Sequence, residues 1–225
     1  LDGEADGVIV EPYSSEADVI LPTESAKPVV LVGTGIETDR LFTSVMTDHG
    51  KLGKSLADAV IQGKAVKVGI LSGNQSQLGM RQRLKSVKDK LEEAGIEISW
   101  ILSEKELDKK MRNVEYFAEQ PVDTVISLDN DDTEKAVDII LNDDRISWKL
   151  YGEGRSEKLI YYLDKGTIQE LAVPNEYYMG YQSIVLAAQN IRYYTDKTEQ
   201  AEVEFYMVSK DNLYDEETSR ILFPA

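Results

Sequence analysis

The chain has no cysteine and one histidine in 225 residues. Without cysteine there are no disulfides, thiolate metal sites or cysteine nucleophile, an absence that fits either a cytosolic protein or a bacterial extracytoplasmic one. Basic residues are scarce: 25 Lys and Arg stand against 41 Asp and Glu, a formal net charge of −16. No Lys/Arg cluster interrupts that field, so nucleic acid is not an expected partner. No apolar run reaches the roughly 20 residues of a membrane-spanning helix, and no basic-then-apolar signal segment opens the chain. Missing too are a Gly-x-Ser-x-Gly elbow, a Walker loop and a dinucleotide Gly-x-Gly-x-x-Gly, since Gly33-Thr34-Gly35 lacks the third glycine. These absences leave no cofactor to expect. Abundant carboxylates permit a glycosidase on paper, but sequence spacing does not give the required separation of two acids, and no catalytic residue is assigned.

What is present is an alternation of short apolar runs and helical periods. Strands are expected at Gly7-Pro12, Pro28-Gly33, Thr43-Met46, Val66-Leu71, Glu97-Leu102, Thr124-Asp129, Ser147-Tyr151, Ile168-Val173 and Glu202-Val208. Several are continuous apolar runs, as parallel strands buried on both faces require. Between them the spacing predicts helices over Lys51-Gln62, Met80 to Gly95, Ser103-Phe117 with a Ser103…Glu106 capping box, Asp132-Asn142, Ser156-Lys165 closed by Gly166, and Glu176-Tyr194. The class is α/β, with helices flanking mainly parallel sheets, and the length is enough for two lobes.

The unit from Val66 to Gly95 is the most informative stretch. An apolar strand runs through Ser72 to Gln77 into a helix carrying Arg81 and Arg83, and in such folds ligands bind beyond the carboxyl ends of strands. Arg81 reads as a solvated helix residue. The unit resembles the sugar-binding type of periplasmic binding protein, the type I fold shared with lactose-repressor-like ligand domains, in which a helix opening with Arg-x-x-Gly-Phe walls the sugar cleft. Here the element is Arg83-Leu84-Lys85-Ser86-Val87, with Ser86 and Val87 in place of Gly and Phe. The resemblance makes Arg83 a ligand contact.

It also implies the other cleft positions. Pro28 to Val32 is followed by Gly33-Thr34 where pentose and hexose binders often carry Asp-Arg, so the particular sugar does not carry over. Thr47-Asp48-His49 stands in place of a Thr-Asn or Asp-Asn pair; Asp48 reads either as an N-cap or as a cleft residue, and His49 either as an exposed loop histidine or as a cleft donor. Asp129-Asn130-Asp131-Asp132 ends a strand where the family meets ligand hydroxyls. A calcium loop there fails at Glu134 and Ile140, so no metal is expected. Asp129 is expected to face the cleft and Asn130 to shape the turn, with Asp131 or Asp132 capping the next helix. In Tyr151-Gly152-Glu153-Gly154-Arg155-Ser156, Glu153 and Arg155 either serve a ligand or pair with each other. At Val173-Pro174-Asn175, Asn175 reads as a hinge amide or a helix cap; Tyr177 and Tyr178 read as core or as a sugar-stacking surface, and Tyr193-Tyr194 as packing.

The resemblance implies two interleaved lobes: residues 1–63 with 175–199, and residues 64–174 with 200–225. It implies an extracytoplasmic solute-binding domain that captures a small sugar or polyol for ABC-type uptake or sensing, partnered by a membrane permease or membrane sensor. The alternative is a lactose-repressor-like regulator, which Gln62-Gly63-Lys64-Ala65-Val66 fits less well than it fits a transport receptor. Relative to the family, about one βαβα segment is expected upstream of Leu1, together with any signal or anchor. Without it the first lobe is incomplete, with an open sheet edge that favours a homodimer or aggregates.

Overall fold

The computed structural model describes residues 4–16, 27–39, 41–111, 115–193 and 198–223, and in it the strands form two sheets. The first holds β1 (Val8–Val10), β2 (Val29–Val32), β3 (Thr43–Met46) and β9 (Gln200–Glu202) in that order, all parallel. The second has β4 (Lys67–Leu71), β5 (Glu97–Leu102), β6 (Thr124–Ser127), β7 (Lys149–Glu153), β8 (Ile168–Pro174) and β10 (Phe205–Ser209). Its order is β10-β8-β7-β6-β4-β5, parallel throughout except for the antiparallel β10–β8 edge. The helices are α1 (His49–Gln62), α2 (Leu78–Glu93), α3 (Glu104–Lys110), α4 (Glu115–Glu119), α5 (Asn130–Asn142), α6 (Glu157–Lys165), α7 (Glu176–Tyr193) and α8 (Glu216–Leu222).

Alternation along the strands of the second sheet sorts their side chains to two faces. Leu71, Val125, Leu150 and Leu171 point toward α5, α6 and α8, where Trp100, Phe117 and Trp148 make edge and tilted ring contacts. Val68, Ile70, Ile126 and Ala172 point the other way, under Leu52, Leu56 and Val60 of α1 and Val87 and Leu91 of α2. In the first sheet, Val30 and Val45 meet Met179, Leu186 and Ala187 of α7, while Val29, Leu31 and Ile36 lie on the opposite face. The capping box at Ser103 is present, and Gly166 closes α6 in the left-handed conformation (φ +81°).

Three expectations change. The single strand expected at Glu202-Val208 is two: β9 ends at Glu202 in the first sheet and β10 begins at Phe205 in the second, so the last crossing falls between them and not before residue 200. Helix α1, expected with the first lobe, buries its apolar stripe on the second sheet: Leu52, Leu56 and Val60 share one core with that sheet, and the helix packs on β6, β7 and β8. The helix expected over Ser103-Phe117 is described as α3 and α4, with residues 112–114 outside the described set, as is Tyr194. Helix α8 lacked an expectation altogether.

Candidate functional site

The carboxyl ends of the parallel strands in both sheets converge on one cleft of about 560 Å³. From the first sheet come Glu11 and Tyr13 after β1, Gly33 and Thr34 after β2, and Thr47 after β3. From the second come Asn74 and Gln77 after β4, Asp129 to Asp132 after β6, Glu153 at the end of β7 and Pro174 at the end of β8. This is where a doubly wound sheet exposes unpaired backbone groups and helix starts, and where its ligands bind.

Arg83 sits in the floor of the cleft with only 5% of its surface exposed. Its Nε donates to His49 Nδ1 at 3.0 Å, its Nη1 donates to the Leu128 carbonyl at 2.5 Å, and the same Nη1 lies 3.4 Å from Glu153 Oε2. One guanidinium is thereby locked by three partners through Nε and Nη1, and among the described residues Nη2 has no partner. Truncating Arg83 would strike the fold as well as the cleft, because Glu153 would lose the cation beside it in a buried place.

His49 is buried, which overturns its reading as an exposed loop residue. Its Nε2 bonds the Gly33 carbonyl at 2.8 Å, so Nε2 carries the proton and Nδ1 accepts from Arg83. Burial first, and Arg83 second, push its pKa down to about 4. Helix α2 approaches so closely that a Cβ on Gly79 would collide with the His49 ring, and one on Gly53 of α1 would meet the Arg83 backbone.

The acids differ from one another. Burial pushes Glu153 up to about 7, against the lowering effect of Arg83. Burial, with Asp129 as a like-charged neighbour, pushes Asp132 up to about 7 as well. Asp132 accepts from Gly73 N at 3.2 Å and pairs with Lys135 at 3.3 Å. Gly73 has φ +65°, and a side chain there would run into Asp129 Oδ2, so this loop is moulded onto the acid. Asp129 is itself raised by burial; its Oδ1 accepts from Asp132 N at 2.8 Å, so Asp129, and not Asp131 or Asp132, caps α5.

The other expected residues divide. Asn130 lines the cleft and shapes a turn, its Oδ1 accepting from Arg155 N and Ser156 N. Arg155 lies outside the cleft; it pairs with Glu176 at 3.4 Å and not with Glu153, whose carboxylate is turned inward to Arg83. Asp48 is the cap of α1, accepting from Lys51 N at 2.9 Å, and lines a neighbouring cavity. Asn175 caps the start of α7, accepting from Tyr178 N at 3.0 Å, and is not in the cleft wall. Tyr177, Tyr178 and Tyr193 are exposed, neither core nor cleft, since α7 turns that face outward.

Asn74 and Gln77 lie in the Ser72 to Gln77 loop that was expected beyond the end of its strand, whereas Glu11 and Tyr13, which stand at the end of β1, were not anticipated. Thr47 is buried beside the cleft, and its Oγ1 has no hydrogen-bond partner among the described residues. Arg81, expected to be solvated, reaches across the cleft mouth: its Nη2 donates to Glu37 Oε1 at 2.6 Å and Ser15 Oγ at 3.0 Å. Asn74 Nδ2 to the Tyr13 carbonyl (3.1 Å), Gln77 Nε2 to the Pro12 carbonyl (3.3 Å) and Gly79 N to Thr34 Oγ1 (2.9 Å) add further links between the two walls.

The same arrangement of sheets occurs in solved structures. A solute binding protein of an ABC transporter from Agrobacterium vitis, with bound D-fucose, superposes with a TM-score of 0.85 at 15% identity, over 98% of this chain and 80% of that one. A myo-inositol binding protein from Caulobacter, bound to myo-inositol, gives 0.83 at 19% identity, over 97% and 78%. A glucose-galactose binding protein from Geobacillus stearothermophilus gives 0.79 at 20% identity, over 94% and 79%. At such identities the likeness is one of fold. No curated protein matches the sequence. A family model for the periplasmic binding protein domain matches residues 1–194, most of the chain, and the chain therefore belongs to the periplasmic binding protein family.

Proposed function

We propose that this chain is an extracytoplasmic receptor domain that captures a small sugar or polyol between its two lobes and hands it to an ABC-type permease or reports it to a membrane sensor. The observation that carries this reading is the cleft, built from the strand ends of both sheets and floored by Arg83, which is held by His49, Leu128 and Glu153, its Nη2 without a partner among the described residues. The structural neighbours named above bind fucose, inositol and hexoses in the same fold. The lobes of this reading are β1–β3, β9 and α7 on one side and the second sheet with its helices on the other. The ligand contacts are Arg83, Asp129, Asn130 and Glu153 facing Glu11, Tyr13 and Thr47. In this reading the domain does no chemistry of its own: the most buried acids are held, Asp129 as the cap of α5, Asp132 by Lys135 and Glu153 by Arg83.

A thermal-shift panel of sugars, polyols, amino acids and nucleotides tests it. A ligand present at about a hundred times its dissociation constant adds roughly 2.7 kcal/mol. Stabilisation by members of the sugar and polyol set is expected. Stabilisation only by amino acids or nucleotides would reject the reading.

A further inference from the structure

The one histidine of the chain stands between the guanidinium on the cleft floor and the wall opposite it. An arginine Nε–H only donates, so its 3.0 Å contact with His49 requires an unprotonated Nδ1. A neutral ring then carries its proton on Nε2, the atom that meets the Gly33 carbonyl at 2.8 Å. The two bonds therefore depend on each other: moving the proton to Nδ1 would set N–H against N–H at Arg83 and lone pair against lone pair at Gly33. The buried ring has no room to turn aside, since a Cβ on Gly79 of α2 would stand 2.5 Å from Nε2.

Each end of this relay has a consequence. On the floor, the guanidinium is planar, so the bond at Nε sets the plane in which Nη2 lies, and Nη2 is the nitrogen without a partner among the described residues. On the opposite wall, Gly33 and Thr34 turn polar groups to the second lobe, the Gly33 carbonyl to His49 and Thr34 Oγ1 to the Gly79 N–H at 2.9 Å. Separating the walls would remove both contacts, and with the Gly33 carbonyl gone nothing on that wall keeps the proton on Nε2.

We propose that His49 is a positioning residue for ligand capture, through which the meeting of the two walls sets the aim of Arg83. With Gly33 in place the ring offers Nδ1 to the guanidinium, and Nη2 is presented to a ligand hydroxyl. This rests on the sugar reading above and assigns a role to a residue of that site.

Two substitutions separate the bonds. His49→Asn puts an amide oxygen where Nδ1 stands, keeping the acceptor for Arg83 and losing the bond to Gly33; His49→Gln puts an amide nitrogen where Nε2 stands, keeping Gly33 and leaving Arg83 Nε without its acceptor. Calorimetry near neutral pH with D-fucose, D-glucose, D-galactose and myo-inositol is expected to show the best-bound of the four weakened about tenfold or more in His49→Gln but about threefold or less in His49→Asn. A purely structural role gives equal losses, because each variant forfeits one hydrogen bond. With no sugar present, the nitrogen-15 spectrum of the ring is expected to show the neutral, Nε2-protonated form at about pH 5.5, where a free imidazole is mostly charged. Arg83 and Asp48 are the charged groups that face it. Equal losses in the two variants, or a ring protonated on Nδ1 at that pH, would overturn the inference and leave the sugar reading standing. Binding of none of the four by the parent protein would overturn the inference too, and the thermal-shift panel then decides the sugar reading by itself.

Discussion

The two lobes are built from the same strand-and-helix grammar but to different depth. Both faces of the second sheet are covered, with 21 and 14 buried apolar side chains in the two clusters, including Trp100, Phe117 and Trp148. The first sheet's clusters hold six and three among the described residues, mostly valine and alanine. The cleft follows the same division. Arg83, Asp129, Asp132 and Glu153 stand on the deep side with fixed partners, while the first lobe contributes mainly backbone carbonyls, Thr47 and the acids at the rim. A receptor of this shape has one wall that is rigid and charged and another that docks onto it.

The largest expected effect bears on that difference in depth. Leu150→Ala in the second lobe leaves a cavity in the thickest part of the core and should destabilise by about 2–5 kcal/mol, whereas Val30→Ala in the first should cost about 1–2 kcal/mol. Urea melts with hydrogen exchange decide it. Equal costs, or equal protection of β2 and β7, would break the comparison.

A middle-sized effect concerns charge on the deep side. Glu153 and Asp132, both raised to about 7, hold protons that the unfolded chain has already released. Their contributions to stability are full below the ordinary carboxylate range and are lost as pH rises through about 7. His49, lowered to about 4, does the reverse: its contribution is full above the ordinary imidazole value and is lost as pH falls toward 4. Glu153→Gln removes one of the first kind. It should flatten the loss of stability between about pH 5 and pH 8 by on the order of 1–3 kcal/mol. A slope identical to that of the parent would show that Glu153 does not carry the proton.

The smallest effect on stability tests the docking wall. Arg81 is about one-third exposed and joins Glu37 and Ser15 across the mouth. Arg81→Ala should change the unfolding free energy by less than about 1 kcal/mol, as exposed ion pairs do. It should nonetheless speed ligand release in stopped-flow dissociation, because the pair forms only when the walls meet. An unchanged release rate would return Arg81 to the solvated surface.

Strands such as β2, Val29–Val32, were legible because parallel strands buried on both faces are written as unbroken apolar runs, and the more mixed Thr43-Met46 and Glu97-Leu102 also match their strands end to end. Glu202-Val208 misled because a single extended-looking run conceals the break at Val203 and Glu204, where the chain changes sheets. Of the residues that line the cleft, Arg83, Asp129, Asn130 and Glu153 had been named from strand-end positions and from the family resemblance. Asp48 and Asn175 were ambiguous in sequence because the same short polar side chains serve caps and ligands, and here the caps hold them. The partner of Arg155 was hidden because Glu176 lies 21 residues on, beyond β8. The unpartnered Thr47 hydroxyl and the reach of Arg81 across the mouth depend on two sheets meeting, which no local pattern records.

The hydrogen bond from His49 Nε2 to the Gly33 carbonyl ties a helix that packs on the second sheet to the loop after β2 in the first. A separation of the two walls would break it and leave the imidazole to Arg83 and the neighbouring Asp48 carboxylate. Since the chain has one histidine, a single pair of ring nitrogens becomes a spectroscopic gauge of closure: a resonance that shifts on ligand addition, free of overlap and needing no label attached to the protein surface.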